Sequence, residues 1–323
     1  MRHIDPATIH HSESHRYLLA GVAPRPIAFV GTVDGEGRPN LSPFSFFNAF
    51  GANPPVVAFS PANRGSDGTQ KHTYFNIRAT GEFTVSVVSY SMVEQVSLAS
   101  GDFPDGIDEF IKAGFTKLPS HKIRPFGVAE SPMVMECRLL QYVPLGNGPA
   151  SGNLMIGEVV MFHIRESAFE GTYLNAERLD LVARMGGPLY CRASGPAVFS
   201  LAKPTHPGIG FDALPEYLRT SAILTGNDLA KFAGVKSYPE IGAVRDFWNA
   251  LLASEEAAVP DAFEIELRVG AADRALAILA ARVRGGEDFV SLRDELHRVA
   301  QAYLRTGNVE RAWHCVLAED ALG

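Results

Sequence analysis

The sequence predicts a chain in two parts. A mainly β barrel or sandwich with a few short helices spans residues 1–204, and an α-helical region spans 205–323. Three observations carry this. The first part is dense in glycine, proline and short runs of β-branched or aromatic residues bounded by turn chemistry. From about residue 212, apolar residues recur three and four apart, the helical period. Charge divides at the same place: residues 1–204 hold 17 Lys and Arg against 18 Asp and Glu, and residues 205–323 hold 12 against 18, so most of the net −7 lies in the second part.

The predicted strands are PIAFVGT (26–32), PPVVAFS (54–60), EFTVSVV (82–88), PMVMECRLL (132–140) and LMIGEVVMFHI (154–164). Asp34-Gly35, Asn53-Pro54-Pro55 and Gly146-Asn147-Gly148 punctuate them as turns. Several are apolar on both faces, as strands must be when structure packs on each side. Short helices are expected near 70–80, 91–99 and 108–113. In the second part AVRDFWNALLAS (243–254), ADRALAILAARVR (272–284), FVSLRDELHRVAQAYLRTG (289–307) and VERAWHCVLAED (309–320) read as helices, with Gly285-Gly286 and Gly307-Asn308 at their ends. AYLRTGNVERAWHCVLAED looks like half of a tetratricopeptide-type hairpin, but about three stacked repeats are needed for such an array. Without a second clear copy, the region reads as an acidic helical appendage.

Composition narrows the function. With 46% hydrophobic and 20% charged residues the chain can bury a sizeable core. No apolar run approaches the ~18 residues of a membrane span, and the start lacks a charged-then-apolar signal design. Cys137, Cys191 and Cys315 are far apart and odd in number, which fits a reducing cytoplasm. The negative charge argues against a nucleic-acid or anionic-membrane partner. No phosphate-loop, H-E-x-x-H, C-x-x-C or G-x-S-x-G signature is present. GNGPASG (146–152) fits a hairpin turn better than a dinucleotide loop. His3, His10, His11 and His15 sit in a polar stretch with no Cys or carboxylate at ligand spacing, so no metal is expected.

The informative stretch is APRPIAFVGTVDGEGRPNLSPFSFFNAFGANPPVVAFSPANRGSDGTQKHTYFNI (23–76). With TGEFTVSVVS (80–89), DEFIKAGF (108–115), SPMVMECRL (131–139), IGEV (156–159) and ARMGGPLYCR (183–192), it resembles the flavin reductase-like, FMN-binding split-barrel family, in its flavoredoxin-like branch. The resemblance runs from about residue 15 to 200 and implies a Greek-key split barrel with bound FMN, NADH or NADPH as electron donor, and a homodimer. The family writes K-D-T where this chain has Lys71-His72-Thr73, which removes an acid beside the expected phosphate site.

The residues themselves suit a flavin mononucleotide, which needs a home for a dianion, donors for the ribityl chain and a flat apolar slot. Ser45, Ser60, Arg64, Lys71 and Thr73 offer hydroxyl and cationic donors to the phosphate. Lys71, His72 and Thr73 fall at a predicted helix start, where free N–H groups favour an anion. Ser45, Phe46, Phe47 and Asn48 would present backbone groups to the chain and ring edge, and Thr32 completes the expected set. Arg25 reaches either the flavin or a substrate carboxylate, or forms a structural ion pair. Arg184 and Tyr190 are placed near the ring by the resemblance. The bland readings stay open: Phe44, Phe46, Phe47 and Phe50 as core, Lys71 as a surface lysine, Tyr190 as packing. Three functions follow: an FMN-dependent oxidoreductase in which the flavin carries the chemistry, an electron carrier reduced by a partner protein, or a flavin-binding module using the helical region for contacts.

Overall fold

The computed structural model describes residues 1–254 and 262–322. It divides into two compact units, Met1–Ser200 and Leu201–Gly323. In the first unit the elements run α1 (His11–Gly21), β1 (Arg25–Pro26), β2 (Ala28–Val33), β3 (Pro39–Phe44), β4 (Phe47–Ala52), β5 (Pro55–Phe59), α2 (His72–Thr80), β6 (Glu82–Val87), α3 (Val93–Ala99) and α4 (Glu109–Ala113). Two short strands, β7 (Lys117–Leu118) and β8 (Gly127–Val128), precede the long hairpin β9 (Met133–Leu145) and β10 (Gly152–Ile164). Then come β11 (Phe169–Glu170), β12 (Tyr173–Leu174), α5 (Ala176–Leu179), β13 (Val182–Gly186) and β14 (Leu189–Arg192).

Seven antiparallel strands form the main sheet in the order β3-β2-β6-β9-β10-β5-β4. The consecutive strands β3 and β4 therefore stand at opposite edges, linked only by Ser45 and Phe46. Among the described residues they do not pair, so the barrel is split rather than closed. This is the split form that the family resemblance implied, and the split is where β3 hands over to β4. Helices make up 38% of the chain, most of them in the second unit, where a helical region was expected. The N-terminal stretch read as merely polar also folds, with His10 capping α1 through its ring nitrogen.

β2 shows why a strand here must be apolar on both faces. All six of its residues are buried. Ala28 and Val30 join one core with Phe44, Phe59, Phe83, Met135 and Met155. Ile27 and Phe29 join another with Met92, Val96, Phe110 and Phe115, beneath α3 and α4. A three-stranded sheet, β1-β13-β14, lies against α1. Gly186 permits that approach: its φ is +106°, and a Cβ there would meet the Leu19 carbonyl oxygen at 3.1 Å.

Residues 195–208 are exposed and carry no helix beyond a single 3-10 turn. The second unit then runs α6 (Glu216–Arg219), α7 (Gly226–Ala233), α8 (Ile241–Ala253), α9 (Phe263–Arg268), α10 (Ala272–Arg284), α11 (Arg293–Arg305), α12 (Val309–Val316) and α13 (Ala318–Leu322). Its own core holds Phe232, Trp248, Leu279, Tyr303 and Trp313. The α11–α12 turn uses Gly307 at φ +83°. None of the helices of the described residues is long and apolar enough to cross a membrane. Domains 1–204 and 205–323 should separate under limited proteolysis, with first cuts in the exposed 195–208 segment. First cuts inside β9 or α11 would refute that division.

The second unit also carries a pH prediction. His297 is 1% exposed; its Nδ1 shares a hydrogen bond with the Ser221 hydroxyl at 2.8 Å, while Nε2 is buried without a partner. Burial pushes the imidazole down to about 4, and burial lowers His314 as well. An unfolded histidine takes up a proton near pH 6.5 and the folded one only near 4. Between those values the unfolded state binds more protons, so stability falls as pH drops from about 6.5 to 4, by up to ~3 kcal/mol for His297. Both tryptophans, Trp248 and Trp313, lie in this unit, so their fluorescence reads its melting. Melts at pH 7 and 4.5 should show the loss, and an undiminished loss in His297→Gln would assign it elsewhere.

Candidate functional site

At the split, the β3–β4 link faces a cavity of about 570 Å³. It brings together Arg25, Ser45, Phe46, Ser60, Arg64, Lys71 and Arg184 from the expected set. Tyr190 stands in an adjoining recess that shares Ser45 and Arg184 with the main cavity.

One end is cationic. Arg64 is held in place by Asp102, through Nε at 3.2 Å and Nη2 at 3.0 Å, and by donation from Nη1 to the Gln70 carbonyl at 2.7 Å. The same contact holds the Asp102 carboxyl below its ordinary range. Lys71 occupies the N-cap position of α2 and uses no side chain to cap it. Burial, and then the nearby Arg64 charge, lower its ammonium from the usual lysine value. Among the described residues, no carboxylate lies within 4 Å of that ammonium to form a salt bridge. Ser60 accepts from the Asn153 amide at 2.9 Å, which leaves its own hydroxyl proton to donate. A partly buried ammonium beside a guanidinium and a free hydroxyl proton fits a phosphate dianion.

The other end holds Arg25 and Arg184, with Ser45 and Phe46 between. Arg25 Nη1 donates to the carbonyls of Leu19 and Val22, the latter at 2.8 Å. Arg184 Nη1 donates to the Tyr190 hydroxyl at 2.8 Å and Nη2 to the Gly187 carbonyl at 2.8 Å. Its guanidinium lies over the Tyr190 ring, 4.7 Å from the centroid.

Other expected residues lie off the cavity. Thr32 and Thr73 are buried in a polar network: the Thr73 hydroxyl donates to Asn40 Oδ1 at 3.0 Å, and Asn76 Nδ2 donates to the Thr32 hydroxyl at 3.0 Å. Asn40 in turn donates to the buried Glu109 carboxylate at 2.9 Å. This network ties α2 and α4 to the sheet. Phe47 packs against the barrel core, Asn48 is exposed on β4, and His72 is partly buried without lining the cavity. Sequence reasoning missed His15 and Leu19 of α1, Asn63 and Ser66 of the loop after β5, and Asp102, all of which line it. His15 sets its ring edge-on to Phe46, 6.1 Å between centroids. For the loop residues, the run ANRGSDG (62–68) inside the 23–76 stretch is where the sequence carries a signal.

The sequence profile described as the flavin reductase like domain matches residues 20–180. The chain belongs to this family. An uncharacterized protein of Deinococcus radiodurans is 40% identical over 193 residues, 57% of this chain and 82% of its own length. Nitrilotriacetate monooxygenase component B from Bacillus cereus is a solved relative, 32% identical with a TM-score of 0.59 over 62% of this chain and 98% of that one. Pseudomonas fluorescens 2-nitrobenzoate 2-nitroreductase is 27% identical with a TM-score of 0.56, over 67% of this chain and 99% of that one. In this flavin reductase-like chain most of the cavity falls within the matched residues; Arg184 and Tyr190 follow a few positions later, and the helical unit lies outside.

Proposed function

We propose that this protein is an FMN-dependent oxidoreductase that takes electrons from NADH or NADPH and acts in the cytoplasm. The observation that carries the reading is the pairing of Lys71 and Arg64 at one end of a cavity whose floor is the Ser45–Phe46 link. Arg64, Lys71 and Ser60 would hold the phosphate, with the N–H groups that open α2 close at hand. Ser45, Phe46 and the start of β4 would face the ribityl chain and ring, and Arg184 and Tyr190 would close the far side. The bound flavin supplies hydride chemistry; the protein's part is to orient it and shelter one face.

The absorbance spectrum of the purified protein, after incubation with FMN and removal of the excess, tests the cofactor. A yellow protein with one FMN per chain supports it, and a colourless one sinks it. Stopped-flow mixing with NADH or NADPH then tests the donor: rapid bleaching supports the reductase. A flavin that neither nucleotide bleaches would favour a carrier reduced by a partner protein, for which the acidic helical unit offers charge.

A homodimer belongs to the same reading. β4 is an edge strand of the main sheet, exposed along most of its length, with Phe50 67% exposed. An unpaired apolar edge invites a cover, and a second copy over this strand would stand beside the Ser45–Phe46 link. Light scattering should give twice the 34.9 kDa chain mass, and Phe50→Glu should shift it toward monomer.

A further inference from the structure

Arg25 and Arg184 are direct cross-strand partners in the β1–β13 pair. Like charges set opposite one another in a sheet are destabilising, and here nothing offsets them. Their partners among the described residues are neutral: backbone carbonyls, Ser45 and Tyr190. Arg25 is 4% exposed, its Nη2 is buried without a hydrogen-bond partner, and so is Nε of Arg184. Burial and then the Arg184 charge weaken the hold of Arg25 on its proton. Arg64 in the same cavity differs, because it has a carboxylate partner in Asp102 at 3.0 Å. Two facing cations with unmet donors call for an anion.

Arg184 also lines the adjoining recess of about 90 Å³, with the apolar side chains of Ile27, Phe44 and Val96 on one hand and the hydroxyls of Ser97 and Ser100 on the other. Charge and apolar surface are thus side by side. We propose that Arg25 and Arg184 form a subsite for the carboxylate of a small acid whose body lies in the main cavity that both arginines line, with an apolar edge against this recess. The inference deepens the reductase reading, since it names the class of substrate that would share the cavity with the flavin. A carboxylate takes up the donors that the sheet leaves unmet and screens the two guanidiniums from each other. A neutral analogue leaves both cations facing and unpaired, so the subsite selects for charge.

Calorimetric titration of the full-length protein, with and without saturating FMN, tests this using benzoate and its neutral analogue benzamide. Benzoate should bind, and benzamide should bind at least about tenfold more weakly, as expected when a hydrogen bond to a charged group is lost. Arg184→Gln should weaken benzoate by about tenfold or more and weaken FMN by clearly less than Lys71→Ala does, because Arg184 borders the ring side of the cavity and not the phosphate end. Lys71→Ala should do the reverse. The comparison of the two probes on the unaltered protein needs no variant to fold. Equal binding of benzoate and benzamide, or undiminished benzoate binding by a folded Arg184→Gln, overturns the proposal. So does an Arg184→Gln that loses FMN as severely as Lys71→Ala, because the pair would then belong to the cofactor. A protein that takes benzoate selectively but never FMN would leave the acid subsite standing and remove the flavin reading.

Discussion

Lys71→Ala should weaken FMN binding by about 1.5–3 kcal/mol, roughly 10- to 150-fold, the cost of losing a hydrogen bond to a charged group. The ammonium is partly buried at the head of α2, beside Arg64 and with no carboxylate in salt-bridge range. Riboflavin has no phosphate, so its affinity should be nearly unchanged by the same substitution. That contrast separates loss of a phosphate contact from general damage to the cavity. Because burial lowers the lysine's pKa, FMN affinity should also fall on the alkaline side before an ordinary lysine would titrate. The loss should appear as pH rises through the folded value and be absent below it. Quenching of flavin fluorescence on titration measures each constant. If Lys71→Ala holds FMN as tightly as the unaltered protein, the phosphate does not lie at this end.

Trp313→Ala should destabilise the helical unit by about 3–5 kcal/mol, the usual cost of emptying a large aromatic site in a core. Trp313 is 1% exposed and packs edge-on against Phe232 at 4.8 Å and Tyr238 at 5.3 Å. Trp248 remains as the reporter, itself donating from its indole to the His314 carbonyl at 2.8 Å. Urea unfolding followed by its emission should shift to lower denaturant. FMN binding should survive at concentrations where this unit has already unfolded, because every phosphate and ring candidate lies before residue 191. Simultaneous loss of both signals would show that the barrel depends on the helices.

Much of this protein follows from local chemistry. Alternating and doubly apolar runs mark β2, β5, β6, β9 and β10. Helical periodicity marks the second unit, and the Lys71-His72-Thr73 step marks the head of α2. Each of these is decided within a few neighbouring residues, by side-chain size, period and turn propensity. The motif order from APRPIA to ARMGGPLY likewise carries the family, because those residues stand at fixed spacings along the chain.

Pairings across long separations were not legible. Arg64 meets Asp102 and Arg25 meets Arg184 only because the sheet order brings distant segments together. Nor could the sequence tell that Thr32 and Thr73 turn inward to Asn40 and Asn76 while Ser60 and Lys71 face the cavity. A one-residue change of register reverses which face a strand side chain takes, and that register is set by the packed sheet as a whole. The split itself has the same origin. Nothing in Ser45–Phe46 announces that two consecutive strands part to opposite edges, and it is that parting which opens the cavity. Sequence by itself determined the elements, the family and the supply of cations and hydroxyls; tertiary structure alone decided which of them face one space, because that choice depends on contacts between residues tens to more than a hundred positions apart.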